Sequence, residues 1–197
     1  EISKHLKRLL NMEKEKSVLV VGLGNERITA DSLGPGVVSN LHMTRHLIKE
    51  YGLKKDGENS LYEVSGIIPG VMAQTGMETS EIIEGVVAMT KPDVVIAIDA
   101  LAARSTRRLN RTIQITDTGI NPGSGVGNHR IGLSRENLHV KVIGIGVPTV
   151  VDAATIVHDS MAHLLDALDE AERKEFLEEM ISPHLHNMFV TPKDVDE

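Results

Sequence analysis

The chain has 197 residues, 41% of them apolar, a formal net charge of −7 and no cysteine. This length suits one domain with a sizeable core, and the missing cysteines exclude a thiol nucleophile, a disulfide framework and a thiolate zinc site. The acidic balance argues against a general nucleic-acid surface, which needs clustered Lys and Arg. A local exception is the run Arg104, Arg107, Arg108 and Arg111.

With two Phe, two Tyr and no Trp, the core must be built from Val, Ile, Leu, Ala and Met. No apolar run reaches the ~18 residues of a membrane-spanning helix, so no membrane partner is expected. The opening EISKHLKRLLNMEKEK is too polar for a signal peptide. Because the chain starts at Glu1 and ends in DVDE without an evident stop, we expect a single domain, residues 1–197, that is a fragment of a longer protein. Residues 1–16 form its N-terminal helix and polar link, and 181–197 its C-terminal tail.

Residues 2–12 predict a short helix with Leu6, Leu9 and Leu10 on one side. The burst SVLVVGLG (17–24) predicts a buried parallel strand and a tight turn. Pro35 suits the first turn of a helix. Val37, Val38, Leu41, Thr44, Arg45 and Ile48 then continue at helical spacing until Gly52. Residues 62–70 read as an edge strand, 77–90 as a helix, and DVVIAIDA (93–100) as the central strand. A β-rich run follows at 111–120, then a Gly- and Pro-punctuated loop at 121–130. KVIGIGVP (141–148) is a further buried strand, and 154–170 an amphipathic helix that continues into 171–180.

Strands alternating with helices predict an α/β fold with a mostly parallel sheet covered on both faces. In such folds the site lies beyond the carboxyl ends of the strands. That places Asp31, after strand 18–23, in one crevice with Asp99, at the end of strand 94–98, and with Pro148, Thr149 and Asp152.

Gly22-Leu-Gly24-Asn25 has the start of a dinucleotide-binding turn, but Arg27 stands where the third glycine belongs, and no acidic residue ends a second strand at the proper distance. No Gly-Lys-Ser/Thr phosphate loop follows either. These glycines also read simply as a tight strand exit. Asp31 has two readings, a helix N-cap ahead of Pro35 or a crevice carboxylate near helix-end dipoles. Asp99 is harder to explain structurally, because it closes the apolar run Val94–Ile98 and must pair or face the crevice.

Two such carboxylates supply a general acid and a general base. Sharing a proton, one pKa rises while the other stays low. The ionised member activates water, and the protonated one polarises the carbonyl or protonates the leaving amine. The same pair with His129 also suits a single divalent metal, zinc or nickel, with an open position for water. We assign substrate or oxyanion positioning to Asn25, Gly125, Gly127, Asn128 and His129.

Other signals are weaker. His42 and His46 are spaced for one helix face, but no His-Glu-x-x-His motif is present; His184 and His186 read as surface residues. Ser124 does not lie in a nucleophile elbow. Asp117-Thr-Gly119 matches the pepsin-like triplet in letters only and reads as a turn.

The stretches GLGNERITADSLGP, SGIIPGVMAQTGMET, PDVVIAIDALAAR, ITDTGINPGSGVGNHR and VIGIGVPTVVDAATI occur in that order. Together they resemble the spore germination protease family, strongly over residues 17–165, and the tail MFVTPKDVDE is similar too. The resemblance implies a three-layer α/β/α sandwich of the phosphorylase/hydrolase-like kind. It implies an aspartic-type endopeptidase that cleaves small, DNA-coating, acid-soluble spore proteins during germination. It also implies synthesis as a zymogen, assembly as a homotetramer and a place in the cytoplasm of the spore core. The family's essential aspartates correspond to Asp31 and Asp99, without a cofactor. The fold is more distantly similar to hydrogenase maturation endopeptidases, where Asp31, Asp99 and His129 would loosely correspond to metal-site positions. A catalytically silent binding or assembly domain remains the contrasting reading.

Overall fold

The apolar bursts become the strands of one sheet in a computed structural model that describes residues 1–10, 17–52, 62–122, 131–165, 181, 185 and 188–190. Helix α1 (Ile2–Leu9) precedes strand β1 (Ser17–Gly22). A 3-10 turn (Thr29–Asp31) then leads into α2 (Leu33–Ser39) and α3 (Arg45–Tyr51). Next come β2 (Glu63–Ile67), α4 (Met72–Thr75), α5 (Thr79–Thr90) and β3 (Val94–Ala103). A second 3-10 turn (Thr106–Arg108) precedes β4 (Gln114–Thr116), α6 (Arg135–Leu138), β5 (Lys141–Asp152), α7 (Ala153–Leu165) and β6 (Phe189–Val190).

The sheet order is β2-β1-β3-β5-β4, with β6 also paired to β5. β2, β1, β3 and β5 run parallel. β4 and β6 are antiparallel to β5, an edge arrangement that mixed sheets commonly carry. Successive strand residues point to opposite faces, and the core divides accordingly. On one face Leu19, Val21, Val95, Ala97 and Val142 pack with Ile83 of α5 and Leu138 of α6. On the other, Val20 and Ile98 pack with Val38 of α2, flanked by Leu33, Val37 and Met43. The α/β fold with helices on both faces is therefore the one expected. Leu19, Val21, Ile83, Val95 and Val142 are at most 1% exposed; burying each such side chain contributes ~1.5–3 kcal/mol.

Helix α5 is fixed at both ends by local sequence. Glu78 and Glu81 form a capping box, and Lys91 adopts the left-handed conformation (φ 48°) that stops the helix before Pro92. The run expected as one helix from Pro35 to Gly52 is instead α2 and α3, broken at residues 40–44. Thr44 causes the break. Its N–H donates to Val64 O (3.0 Å), and its hydroxyl oxygen accepts from Val64 N (2.9 Å). The chain thus leaves the helical path to lie along the outer edge of β2. Pro35 does sit in the first turn of α2, and Gly52 ends α3 at φ 61°.

Two strands outrun their expected lengths. β3 continues to Ala103 because it stays paired with β5 as far as Val151, past a register shift at Leu101/Ala102, and β5 reaches Asp152 by pairing with Phe189 of β6. Asp99 is consequently inside β3, not at its end, and Pro148, Thr149 and Asp152 lie in β5, not after it. Of the β-rich run 111–120, only Gln114–Thr116 forms a strand. The expected helical residues 11–12 and 166–180 lie outside the described residues. Among the described residues, no helix is long and apolar enough to cross a membrane.

Candidate functional site

Strand β1 ends at Gly22, opposite Ile98. Leu23 still donates its N–H to Ile98 O (2.8 Å), and the chain then turns away at Gly24 (φ +113°). Asp99, the next residue on β3, therefore stands just beyond the end of β1 while still paired with Gly146 of β5. β3 and β5 run on past the point where β1 stops. By strand alternation Asp99 faces the α5 layer, whereas Asp31 comes from the turn in front of α2.

Asp99 is 4% exposed. Burial and the nearby charge of Asp31 push its carboxyl up to about 7, against the opposing Ala100 N–H, which donates to Oδ1 (2.9 Å). Of the two, Asp99 is therefore the carboxyl that keeps its proton towards neutral pH.

Asp31 ends the first 3-10 turn and is half-buried. Its Oδ2 accepts from Asn25 N (2.8 Å). The N-cap alternative is not realised, because Ser32 holds the cap position of α2. The turn is pinned to β5 by Thr149, whose hydroxyl donates to Ala30 O (2.6 Å). Asp152 Oδ1 accepts from Ala154 N (3.0 Å) at the start of α7.

The glycines of the GLGN turn have specific work. A Cβ on Gly24 would sit 2.9 Å from Asp31 Oδ1, and one on Gly22 would press against the backbone of Gly34 and Pro35. They admit α2 and Asp31 to the end of β1, which sharpens the strand-exit reading. The side-chain oxygen of Asn25 accepts from Arg27 N and from Gln74 Nε2, both at 3.0 Å. Sequence patterns gave no sign of Gln74.

Gly125, Gly127, Asn128 and His129, and Ser124 with them, lie outside the described residues. The base of their loop is closed by a bridge in which Ile120 and Leu133 exchange backbone hydrogen bonds of 2.9 and 2.8 Å. Both residues pack on the α5 face, the one Asp99 faces. Among the described residues no three His, Cys, Asp or Glu side chains gather as a metal site; the metal alternative required His129. His42 lies in the break before α3 and His46 on α3, both exposed, and His184 and His186 are not described. Asp117-Thr-Gly119 forms a turn after β4, with Gly119 at φ 96°.

Arg104, Arg107, Arg108 and Arg111 are all exposed around the second 3-10 turn. Asp159 of α7 fastens that turn. Its Oδ2 accepts from Ser105 Oγ (3.0 Å), Thr106 N (2.8 Å) and Thr106 Oγ1 (2.8 Å). Burial alone would raise its pKa, but these donors and nearby His158 outweigh it and hold the carboxyl below its usual value.

Fold and site together define an α/β protein that brings two unequal aspartates to the carboxyl end of a central parallel strand. The family profile described as germination protease matches residues 1–168. A germination protease of Caldanaerobacter subterraneus subsp. tengcongensis is 49% identical, covering 97% of this chain and 64% of that protein. One of Clostridium tetani is 45% identical over 99% of this chain and 65% of its own length; one of Bacillus subtilis is 44% identical over 95% and 63%. The chain belongs to the germination protease family, and spans a little under two thirds of the length of these curated relatives. The solved structure of a [NiFe] hydrogenase maturation protease, HycI, from Thermococcus kodakarensis KOD1 matches 70% of this chain and 77% of its own, at 19% identity and TM-score 0.40. At that level of likeness nothing about the site is carried across.

Proposed function

We propose that this chain is the single-domain catalytic core of a longer endopeptidase that cleaves small acid-soluble spore proteins during germination. The observation that carries the reading is the asymmetry of Asp31 and Asp99. Two carboxyls in one crevice differ in burial and partners, so one is an ionised base and the other a proton donor near neutral pH. Family membership supports the substrate class.

In this reading Asp31 takes a proton from water while the water oxygen bonds to the scissile carbonyl carbon. Asp99 gives its proton to the carbonyl oxygen, so no full oxyanion forms in a site with little water. Collapse of the tetrahedral intermediate breaks the C–N bond, and the leaving nitrogen takes a proton from the pair. Gly125, Gly127, Asn128 and His129 would position the substrate, and Asn25 would order the Asp31 side. The working protein is a homotetramer, made as a zymogen, in the cytoplasm of the spore core.

The test is cleavage of a purified small acid-soluble spore protein by the full-length protein in metal-free buffer, comparing the parent with Asp31→Asn and Asp99→Asn. Loss of activity in both variants, with folding and assembly retained, supports the carboxylate pair. An Asp99→Asn variant as active as the parent removes Asp99 from the mechanism. A parent that is silent until a divalent metal is added moves the chemistry to Asp31, Asp99 and His129. Binding without cleavage in any buffer would leave an assembly domain.

A further inference from the structure

We propose that Gln74 is a positioning residue for Asp31, acting through Asn25 to hold the carboxylate in its working orientation; the proposal rests on the endopeptidase reading above. Three separate segments meet in this chain of contacts. Gln74 sits on α4, after β2; Asn25 sits in the turn after β1; Asp31 ends the first 3-10 turn. Gln74 Nε2 donates to Asn25 Oδ1, and Asn25 N donates to Asp31 Oδ2.

The direction of the first bond is fixed. Arg27 N–H also donates to Asn25 Oδ1, so that atom is the amide oxygen and Gln74 must present its nitrogen. Gln74 is itself on a short, closed turn, where its N–H donates to Val71 O (2.8 Å). The Arg27 contact is local to the GLGN turn and moves with it. The Gln74 contact alone reaches across 49 residues of sequence to the segment after β2. It therefore ties the turn to the sheet's edge and steadies the peptide plane whose N–H meets Asp31. A base must be held in a narrow range of orientations to attack productively, so loosening this tie should cost turnover more than binding.

Packing does not explain Gln74. The residue is exposed, so shortening it opens no cavity in the core. Its substitutions are expected to fold.

The experiment measures kcat and KM of the full-length protein on a purified small acid-soluble spore protein across a pH series. The variants are Gln74→Met, Gln74→Glu and Asp31→Asn, with thermal unfolding of each. Met keeps the length and removes the donor; kcat should fall roughly five- to tenfold, with KM within about twofold and an unchanged melting temperature. Glu in its ionised form faces the Asn25 oxygen without a proton to give, and regains a donor when protonated. Its activity relative to the parent should therefore rise as pH falls through the carboxyl range, a change that a packing role would not produce. A Gln74→Met variant with parental kcat, or a Gln74→Glu ratio constant at every pH, overturns the proposal. Where Asp31→Asn is inactive in that case, only the tether is lost. An active Asp31→Asn variant removes the catalytic reading and the positioning role together.

Discussion

Asp99 faces Gly146 across the β3–β5 ladder, and the side chain of Leu101 occupies the space that a side chain at 146 would need. A Cβ on Gly146 would sit 2.6 Å from Leu101 Cγ. The missing side chain thus leaves room for Leu101 over the β5 position that pairs with Asp99. Gly146→Val should displace Leu101 and cost about 1–3 kcal/mol through overpacking. Urea unfolding of this variant against the parent measures that loss directly.

The pH dependence of cleavage follows from which carboxyl keeps its proton. Asp99 must be protonated to act as the acid, and its pKa is raised to about 7 by burial and by Asp31. Activity should fall as pH rises through about 7, with an apparent value belonging to the coupled pair. A kcat/KM profile still flat two or more pH units above neutrality would rule Asp99 out as the proton donor.

The same carboxyl sets a stability cost. Asp99 rises from 3.8 in the unfolded chain to about 7 in the folded protein. Between those values the folded state holds the proton more tightly, so this group's contribution to stability declines as pH rises from about 4 to about 7 and levels off above. The full cost is on the order of 4 kcal/mol. Asp99→Asn should therefore unfold at higher temperature than the parent at pH 8, with the gain shrinking towards pH 4. Melting curves at the two pH values check the sign.

Asp159 should act in the opposite sense. Its carboxyl is held below its usual value in the folded state, so its contribution is present above about pH 4 and is lost as pH falls through its folded pKa. Removing the acceptor of three hydrogen bonds by Asp159→Ala should cost about 1–3 kcal/mol at neutral pH. Hydrogen exchange should rise first at Thr106, whose N–H bonds to this carboxyl.

The legible parts of the fold were those decided locally. Val94–Ile98 is too apolar for anything but an interior strand, and a carboxylate directly after it announces a site. The further course of β3 and β5 was not legible, because Leu101–Ala103 become strand by pairing with Pro148, Val150 and Val151, and Asp152 by pairing with Phe189 of β6. The break at residues 40–44 was hidden for a similar reason. Leu41, Thr44 and Arg45 keep helical spacing, and the competitor that wins is Val64, 20 residues away. For Asp31 the letters DSLGP fit a cap and a site equally well; Ser32 at the cap position and the contact with Asn25 separate them. Gln74 is an exposed amide with no periodic signature, and its meaning lies wholly in a bond to a distant turn.

Thr44 has a consequence for how molecules meet. β2 is the outermost strand on its side of the sheet, and an open strand edge invites another chain to add itself. Thr44 already answers both backbone groups of Val64, and its hydroxyl donates to Tyr62 O as well. A visiting strand would have to displace those bonds before it found a partner. Copies crowded at high concentration are thereby discouraged from joining sheet to sheet through this flank, and the break in the helix doubles as a guard against aggregation.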